Sequence, residues 1–229
     1  MVAVRKKTIG RQGYYYLEHS YRKEGKVVKK EEYLGKSLPK NLDVLKKRFF
    51  YELYAEKWFK AFEKIRKNYS DELHGMPAYV REKQVKAFSI KFTYDSNKIE
   101  GSKLTLRETA NLIQEGTTPK GKPIEEVKEA ESHYKTFLEA LEFKKDLSLQ
   151  TVLEWHKKVF DSTKPGIAGK TRQHQVLISG SKFTPPTPAE VYPLTREFFK
   201  WYDKNKDKMH AVELAALVHL NFVSIHPFA

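Results

Sequence analysis

The sequence predicts a mostly α protein with a β-hairpin at its N-terminus, and three observations lead to this. Apolar residues recur at steps of three and four along most of the chain after Pro39. Two segments before Pro39 are rich in tyrosine and valine, which favour strands. The 229 residues, 40% of them hydrophobic, are enough to bury one main core. We therefore expect an appendage over residues 1–38 and a helical domain over residues 39–229.

The appendage is expected to be a basic β-hairpin. Residues 14–21 and 27–35 form its strands, and Gly25 lies in the turn between them. A two-stranded hairpin is only marginally stable on its own. It would need a third strand near residues 2–6, or packing against the helical domain.

The first two helices are separated by the Gly-Met-Pro break at residues 75–77. The first helix is expected over residues 42–68 and the second is expected to end at Gly101, a residue suited to a helix C-terminus. The second helix should bury an apolar stripe of Val85, Phe88, Phe92 and Ile99.

Caps and breakers delimit the later helices. Thr105 and Glu108 form a capping box at the start of a short helix that ends near Glu115. A loop over residues 163–187 contains prolines and glycines and is expected to hold a small hairpin. Four further helices are expected over residues 123–145, 148–160, 188–205 and 210–225.

Composition excludes several functional classes. The chain has no cysteine, which excludes disulfides and thiol-ligated zinc and agrees with a reducing cytoplasm. No apolar run reaches the roughly 18 residues that span a membrane, and the first residues lack a signal-peptide core. We expect a cytoplasmic protein without a membrane partner.

Positive charge is concentrated at the N-terminus. The net charge is +14, and residues 1–50 hold 14 Lys and Arg against 5 Asp and Glu. Two interpretations stay open: an anionic partner such as nucleic acid, contacted by lysines and stacked tyrosines, or a solvated lysine-rich surface. The hairpin could equally be a structural cap or contact a partner protein.

Three segments form the pattern that points to a function. The chain ends in His-Pro-Phe-Ala directly after an apolar helix, so His226 lies where a helix gives way to a loop. Ser96 and Glu100 lie one turn apart near the end of the second helix, and residues 104–109 read Leu-Thr-Leu-Arg-Glu-Thr. A third segment contains Gly166, Gly169, Arg172, the Val-Leu-Ile of residues 176–178, and the Pro-Pro of residues 185–186.

Together these segments resemble the Fic family, which has the Fido fold. The resemblance implies a Fic/Fido-like helical domain with a small β-hairpin flap. It implies a protein adenylyltransferase, which transfers AMP from ATP, with Mg²⁺, to Ser, Thr or Tyr hydroxyls of a protein docked on the flap. His226 would then be the general base, because imidazole titrates near working pH. Ser96 and Glu100 would belong to an inhibitory helix.

The resemblance also assigns nucleotide-binding positions. Ile178, Ser179, Gly180 and Ser181 would line the adenosine side of the pocket, on the flap. Asn221, five residues before the histidine, would be a polar neighbour of the nucleotide; its other interpretation is a solvent-facing helix residue. No metal ligand is assigned in this chain.

The resemblance stops within the Fic motif, His-x-Phe-x-(Asp/Glu)-Gly-Asn-Gly-(Lys/Arg)-x-x-Arg. The acidic residue, the Gly-Asn-Gly loop and the final arginine, which would pair with Glu100, are not among the 229 residues. We expect the domain to be incomplete at its C-terminal end and the chain to be inactive by itself, with oligomerisation through an uncovered apolar face. The alternative function is a non-catalytic module that binds nucleic acid or a partner protein through the basic hairpin.

Overall fold

The computed structural model describes residues 2–23, 25–178 and 180–228, apart from the side chains of Lys23 and Glu56. The chain divides into two compact units, Met1–His74 and Gly75–Ala229. The sequence predicts the boundary after residue 38, whereas these units meet after His74. In the part of the chain described, no helix has the length and apolarity needed to cross a membrane.

The first unit contains a three-stranded antiparallel sheet and one long helix. The strands are β1 (Ala3–Ile9), β2 (Gln12–Lys23) and β3 (Lys26–Gly35), in the order β1-β2-β3. Gly25 has a positive φ of 79°, which suits the tight β2–β3 turn. The third strand that the hairpin needs is therefore present as β1.

Helix α1 (Leu42–Gly75) packs against one face of this sheet and continues past the predicted end at residue 68. Leu17 of β2 and Phe49 of α1 are completely buried. The His19 ring nitrogen Nε2 lies 3.1 Å from the Tyr54 hydroxyl, and Arg48 pairs with Glu32. A small sheet cannot bury its own apolar face, which explains why α1 belongs to the same compact unit as the strands.

The second unit begins with α2 (Ala78–Ile99), α3 (Leu106–Glu115) and α4 (Ile124–Glu142). The predicted capping box is present: Glu108 N–H donates to Thr105 Oγ1 at 3.2 Å, and Thr105 N–H donates to the Glu108 carboxylate at 2.8 Å. Around α3 and α4 lies a small core of Leu104, Leu112, Val127 and Ala130.

The predicted apolar stripe of α2 is wrong. Ile99 is 82% exposed and Phe88 58%, whereas the buried residues of this helix are Ser89, Ile90 and Thr93. The Ser89 and Thr93 hydroxyls can be buried because each has a hydrogen-bond partner. Ser89 donates to the Val85 carbonyl at 2.7 Å, and Thr93 Oγ1 lies 3.0 Å from His133 Nδ1 on α4. Phe92 instead stacks at the surface on the Phe137 ring of α4, and Phe88 stacks on Phe92.

The second unit ends with α5 (Leu149–Phe160), α6 (Pro188–Asn205) and α7 (Ala211–Ile225). Ser148 caps α5 as predicted, since its Oγ accepts the Thr151 N–H at 3.1 Å. These helices share the second core, which contains Val191, Phe198, Phe199 and Ile225 with partly buried neighbours Leu147, Leu149, Val152, Leu194, Trp201, Val218 and Phe222. This core holds the C-terminal end of α7 in place.

The segment between α5 and α6 differs from the predicted small hairpin. Its described residues, 161–178 and 180–187, form turns and irregular backbone without a strand ladder. A turn is closed by the Ser181 N–H, which donates to the Ile178 carbonyl at 3.1 Å. The strand-forming residues at 176–178 have no described strand to pair with, so their local preference does not become a ladder.

Candidate active site

His226 lies at the C-terminal end of α7 in a left-handed conformation, with φ 48° and ψ 61°. It is the one non-glycine residue with positive φ among those the structure describes. Its N–H donates to the Phe222 carbonyl at 3.1 Å, which closes the helix. The following Pro227 disfavours a right-handed helical conformation at the preceding residue. A left-handed side-chain-bearing residue costs about 1–2 kcal/mol, so neighbouring contacts must hold it.

Arg172 provides those contacts. This arginine is only 4% exposed, and its Nε donates to the His226 carbonyl at 2.7 Å. Its main-chain N–H donates to the Pro227 carbonyl at 2.9 Å. Side-chain and main-chain donors of one buried residue therefore hold two consecutive peptide groups after α7.

The same guanidinium connects this turn to both ends of the loop before α6. Nη1 donates to the His174 carbonyl at 3.1 Å and Nη2 to the Pro186 carbonyl at 2.6 Å. A buried charge is costly unless it is hydrogen-bonded, and here three main-chain carbonyls accept from it. Arg172 thus fixes the base of the 174–186 loop beside His226.

Phe228 is held by a second buried side chain. Its ring stacks on the His156 imidazole of α5, with centroids 4.1 Å apart and planes 11° from parallel. His156 is 8% exposed, and its Nδ1 accepts the Gly169 N–H at 2.9 Å. Gly169 has φ +70°, and a Cβ there would lie 3.0 Å from Lys157 Cβ. A glycine is therefore required for this close approach.

Burial and the nearby Lys164 ammonium lower the pKa of His156, which favours the neutral imidazole. Because Nδ1 accepts a hydrogen bond, the neutral ring has its proton on Nε2. That nitrogen is buried and has no acceptor among the described residues. His156 is therefore a neutral, fixed support for Phe228.

A cleft of about 570 Å³ lies between α6, α7 and the end of the 174–186 loop. Asn221 of α7 lines it, opposite aromatic side chains that include Phe183 and Trp201. Asn221 and the loop residues Phe183, Thr184 and Pro186 therefore line one cleft. Glu190, also in the lining, has a lowered pKa because the Thr187 hydroxyl and N–H donate to its carboxylate.

The predicted flap residues lie in the middle of the 174–186 loop. Ile178 is half-buried, Gly180 is exposed with φ +74°, and Ser181 is exposed. Ser181 Oγ accepts the Phe183 N–H at 3.0 Å, which orients the chain towards the cleft. The prediction for Ser179 lies outside the described residues.

The predicted inhibitory residues lie at the end of α2. Ser96 is half-buried and Glu100 is the exposed C-cap residue. The Gly101 N–H donates to the Lys98 carbonyl and the Ser102 N–H to the Asn97 carbonyl, a motif that satisfies the helix end locally. Within the described residues, no ion pair involves Glu100 and no contact joins it to His226. The inhibitory role of both residues stays a prediction.

Residues that could hold a metal ion do not come together in the described ranges. No group of three or more His, Cys, Asp or Glu side chains forms a metal-binding cluster there.

The model of the Fic/DOC family matches residues 146–229, which contain α5, the loop, α6, α7 and the held His-Pro-Phe turn. Over these residues the chain is similar to the Fic/DOC family. The match covers the segment in which Arg172 and His156 organise the end of α7, while the sheet and α1 lie outside it.

Individual relatives agree with this. The chain is 29% identical over 160 residues to the protein adenylyltransferase Fic of Drosophila ananassae, covering 68% of this chain and 32% of that protein. It is 32% identical over 139 residues to the protein of the same name from Drosophila yakuba, covering 59% of this chain and 28% of that protein. The chain thus spans about a third of the length of these curated relatives.

Solved structures show the same fold. A Fic domain containing signaling protein from Bacteroides thetaiotaomicron superposes with a TM-score of 0.62 at 25% identity, covering 72% of this chain and 65% of that one. Fic-1 from C. elegans superposes with a TM-score of 0.63 at 23% identity, covering 82% of this chain and 56% of that one. The predicted Fic-like helical class is therefore confirmed.

Sequence reasoning missed the two residues that organise the site. Arg172 was noted only as part of a family pattern, and His156 only as a residue of a helix. Their partners lie 54 and 13 residues away along the chain, at His226 and Gly169. Such contacts join residues that are far apart in the chain and form only in the folded protein, so no local pattern in the sequence indicates them.

Proposed function

We propose that this protein belongs to the machinery of protein adenylyl transfer, in which AMP passes from ATP to a Ser, Thr or Tyr hydroxyl of a protein. The observation on which the proposal rests is the left-handed His226, held by Arg172 beside a loop and a cleft. Relatives named protein adenylyltransferase Fic support the reaction class.

His226 is proposed as the general base. The target hydroxyl oxygen attacks the α-phosphorus of ATP, the bond from that phosphorus to the bridging oxygen of the β-phosphate breaks, and pyrophosphate leaves. The hydroxyl proton passes to the imidazole, a transfer that typically contributes about 10²–10⁴-fold to a rate. Mg²⁺ enters as part of the substrate MgATP and would neutralise phosphate charge.

The 174–186 loop is proposed as the site where the target protein and the nucleotide meet. Ile178, Ser179, Gly180 and Ser181 would contact the adenosine side or the target backbone. Asn221 would hydrogen-bond the nucleotide from the cleft, because an amide facing aromatic walls suits a planar base. The fixed base of the loop, at Arg172, would keep these residues in reach of His226.

The 229 residues do not include the acidic position and the Gly-Asn-Gly loop of the motif. We propose that the 229-residue chain by itself does not transfer AMP, since loss of one main-chain anion donor already costs about 10²–10³ in rate. A version continued through the remaining motif positions should transfer it.

Transfer of radiolabelled AMP to protein tests the proposal in that continued version. His226→Ala should abolish labelling, whereas His219→Ala should leave it intact, because His219 is an exposed histidine on the same helix. Labelling that survives His226→Ala, or that is lost equally with His219→Ala, would contradict the assignment of the base.

Glu100 is proposed to restrain the reaction by pairing with the final arginine of the motif. Glu100→Gly in the continued version should raise labelling about tenfold or more, which corresponds to about 1.4 kcal/mol. Glu142→Gly, an exposed glutamate at the end of α4, is the matched control and should have no effect. Equal labelling in both variants would leave Glu100 as a helix-end residue only.

A further inference from the structure

The sheet of the first unit has one face covered by α1 and one face turned to solvent. Strand residues alternate between faces, so Leu17 and His19, both buried, share the covered face. Tyr14 and Tyr16 of β2 have the opposite parity, and the register pairs Tyr16 with Tyr33 of β3. The three tyrosines therefore lie together on the outer face, where Tyr33 is 53% exposed.

These three residues form what we call the tyrosine platform. The Tyr16 and Tyr33 ring centroids are 5.3 Å apart, and those of Tyr14 and Tyr33 are 6.2 Å apart. The rings support one another and so lose little conformational freedom if a ligand stacks on them. Rings left at the surface of a sheet are available for such stacking.

Basic side chains surround the platform on the same face. Lys7 lies over the Tyr16 ring, its Nζ 4.7 Å from the centroid, and the register places Arg5 beside Tyr16. Lys29 of β3 and Arg22 of β2 also have the parity of the outer face. Aromatic rings interleaved with cations match a ligand with flat rings and negative linkers between them.

Two carboxylates hold these cations next to the rings. Glu31 pairs with Lys7 at 2.5 Å and with Lys29 at 2.9 Å, and Glu18 pairs with Lys29 at 2.6 Å. The two lysines lower the pKa of Glu31 to about 2. At neutral pH the carboxylates therefore compete with an anionic ligand for the same ammonium groups. The face has four cations against these two anions, so a net positive charge remains.

We propose that this outer face binds single-stranded nucleic acid. Bases of a single strand offer unpaired π-faces to the tyrosine platform, while the phosphates between them contact Arg5, Lys7 and Lys29. A duplex keeps its bases stacked internally and offers only phosphates. The proposal does not depend on adenylyl transfer, because the sheet lies outside the residues that match the Fic/DOC family.

The first test measures binding of the whole 229-residue chain to a fluorescent oligonucleotide of about 12 nucleotides at about 50 mM salt, by anisotropy. Tyr33→Ala should weaken binding about tenfold, and Tyr33→Phe should retain it, because phenylalanine keeps the stacking ring. Tyr69→Ala is the matched control: Tyr69 is a 59% exposed tyrosine on α1 and its removal should change nothing. Circular dichroism of each variant verifies that the sheet remains folded.

The second test uses the competing carboxylates. Glu31→Gln should tighten binding severalfold and steepen the salt dependence, because Lys7 loses its carboxylate partner and Lys29 keeps only Glu18. Each single-strand phosphate contact adds about 0.7 to the slope. Glu72→Gln removes the same charge from an exposed position on α1 and should change affinity much less.

Three results would overturn the proposal. One is the absence of binding at low salt. Another is equal affinity for duplex and single strand together with indifference to Tyr33→Ala, which would show charge attraction alone. The third is displacement of the oligonucleotide by polyglutamate at matched charge, which would identify the face as a site for acidic protein segments.

Discussion

Three helices of the second unit, α2, α3 and α7, end at a left-handed residue, and α2 and α7 do so in different ways. At the end of α2 the left-handed residue is Gly101, with φ +93° and open space around its missing Cβ. Local hydrogen bonds satisfy that end, and Glu100 beside it is exposed. At the end of α7 the left-handed residue is His226, which bears a side chain where glycine would cost less.

The difference shows what a left-handed residue with a side chain requires from its surroundings. The Gly101 turn at the end of α2 is closed by its own main-chain hydrogen bonds, and only the residues after it, Ser102 and Lys103, donate to Glu126 of α4. The His226 turn at the end of α7 is held from outside by Arg172 and, two residues later, by the His156 ring. A side chain in a conformation that favours glycine is retained only where surrounding contacts fix it. The contacts around His226 therefore fit a residue that must point an imidazole in one direction, and four predictions test this contrast.

The largest effect is expected from removing the guanidinium of Arg172. Arg172→Met fills similar volume but leaves the carbonyls of His174, Pro186 and His226 without this donor, so the free energy of unfolding should fall by about 3 kcal/mol or more. Arg196→Met, at an exposed arginine of α6, should change it by less than about 0.5 kcal/mol. Urea unfolding measures both. Similar values for the two variants would mean that Arg172 does not hold the turn.

A smaller effect is expected at the glycine that supports His156. Gly169→Ala combines a left-handed φ with a 3.0 Å contact to Lys157 Cβ, so it should cost about 2–3 kcal/mol. Gly180→Ala has almost the same φ, +74°, but no atom within 4 Å, so only the conformational cost of about 1 kcal/mol should appear. Thermal unfolding of the two variants gives the comparison. Equal losses would show that close packing around His156 contributes little.

A smaller change in the free energy of unfolding is expected when the pH is lowered. Burial lowers the pKa of His156 and of His133, so on acidification the unfolded chain takes up these protons first. Stability should be full above the unfolded pKa of about 6.5 and fall as pH drops below it, by at most about 1.4 kcal/mol per pH unit for each histidine. Glu31, with its pKa lowered to about 2, acts only below about pH 4.5 and so outside this window.

The variant His156→Phe keeps a ring against Phe228 but cannot titrate, so the dependence between pH 7 and 5 should become shallower. His219→Ala, at an exposed histidine, should leave the slope as it is. Unfolding free energies across this pH range provide the measurement. An unchanged slope in His156→Phe would show that the ring is protonated in the folded protein as readily as in the unfolded one.

The features that the sequence predicted correctly depend on residues that are close together in the chain. The capping box at Thr105, the cap at Ser148 and the range of α6 follow from local hydrogen bonds, and the structure confirms them. A third strand or packing against a helix was expected because a hairpin alone is marginal, and the structure has both. The His-Pro-Phe turn was found because proline after an apolar helix forces its end.

What the sequence could not predict depends on contacts between distant residues. Nothing local indicates that α2 buries Ser89 and Thr93 in place of its phenylalanines, because that choice follows from its fit to α4. The His226 carbonyl that the Arg172 guanidinium binds lies 54 residues away. Residues 176–178 favour a strand, yet they form none within the described loop, since pairing needs a partner as well as propensity.

The most direct test of the account is AMP transfer by His226→Gly in the chain continued through the motif. Glycine relieves the left-handed strain, so the free energy of unfolding of the variant should equal that of the parent or exceed it by about 1 kcal/mol. Transfer should nevertheless fall by about 10²–10⁴-fold, because the base is gone. A folded His226→Gly protein that still transfers AMP at the parent rate would contradict the claim that this turn exists to position a catalytic imidazole.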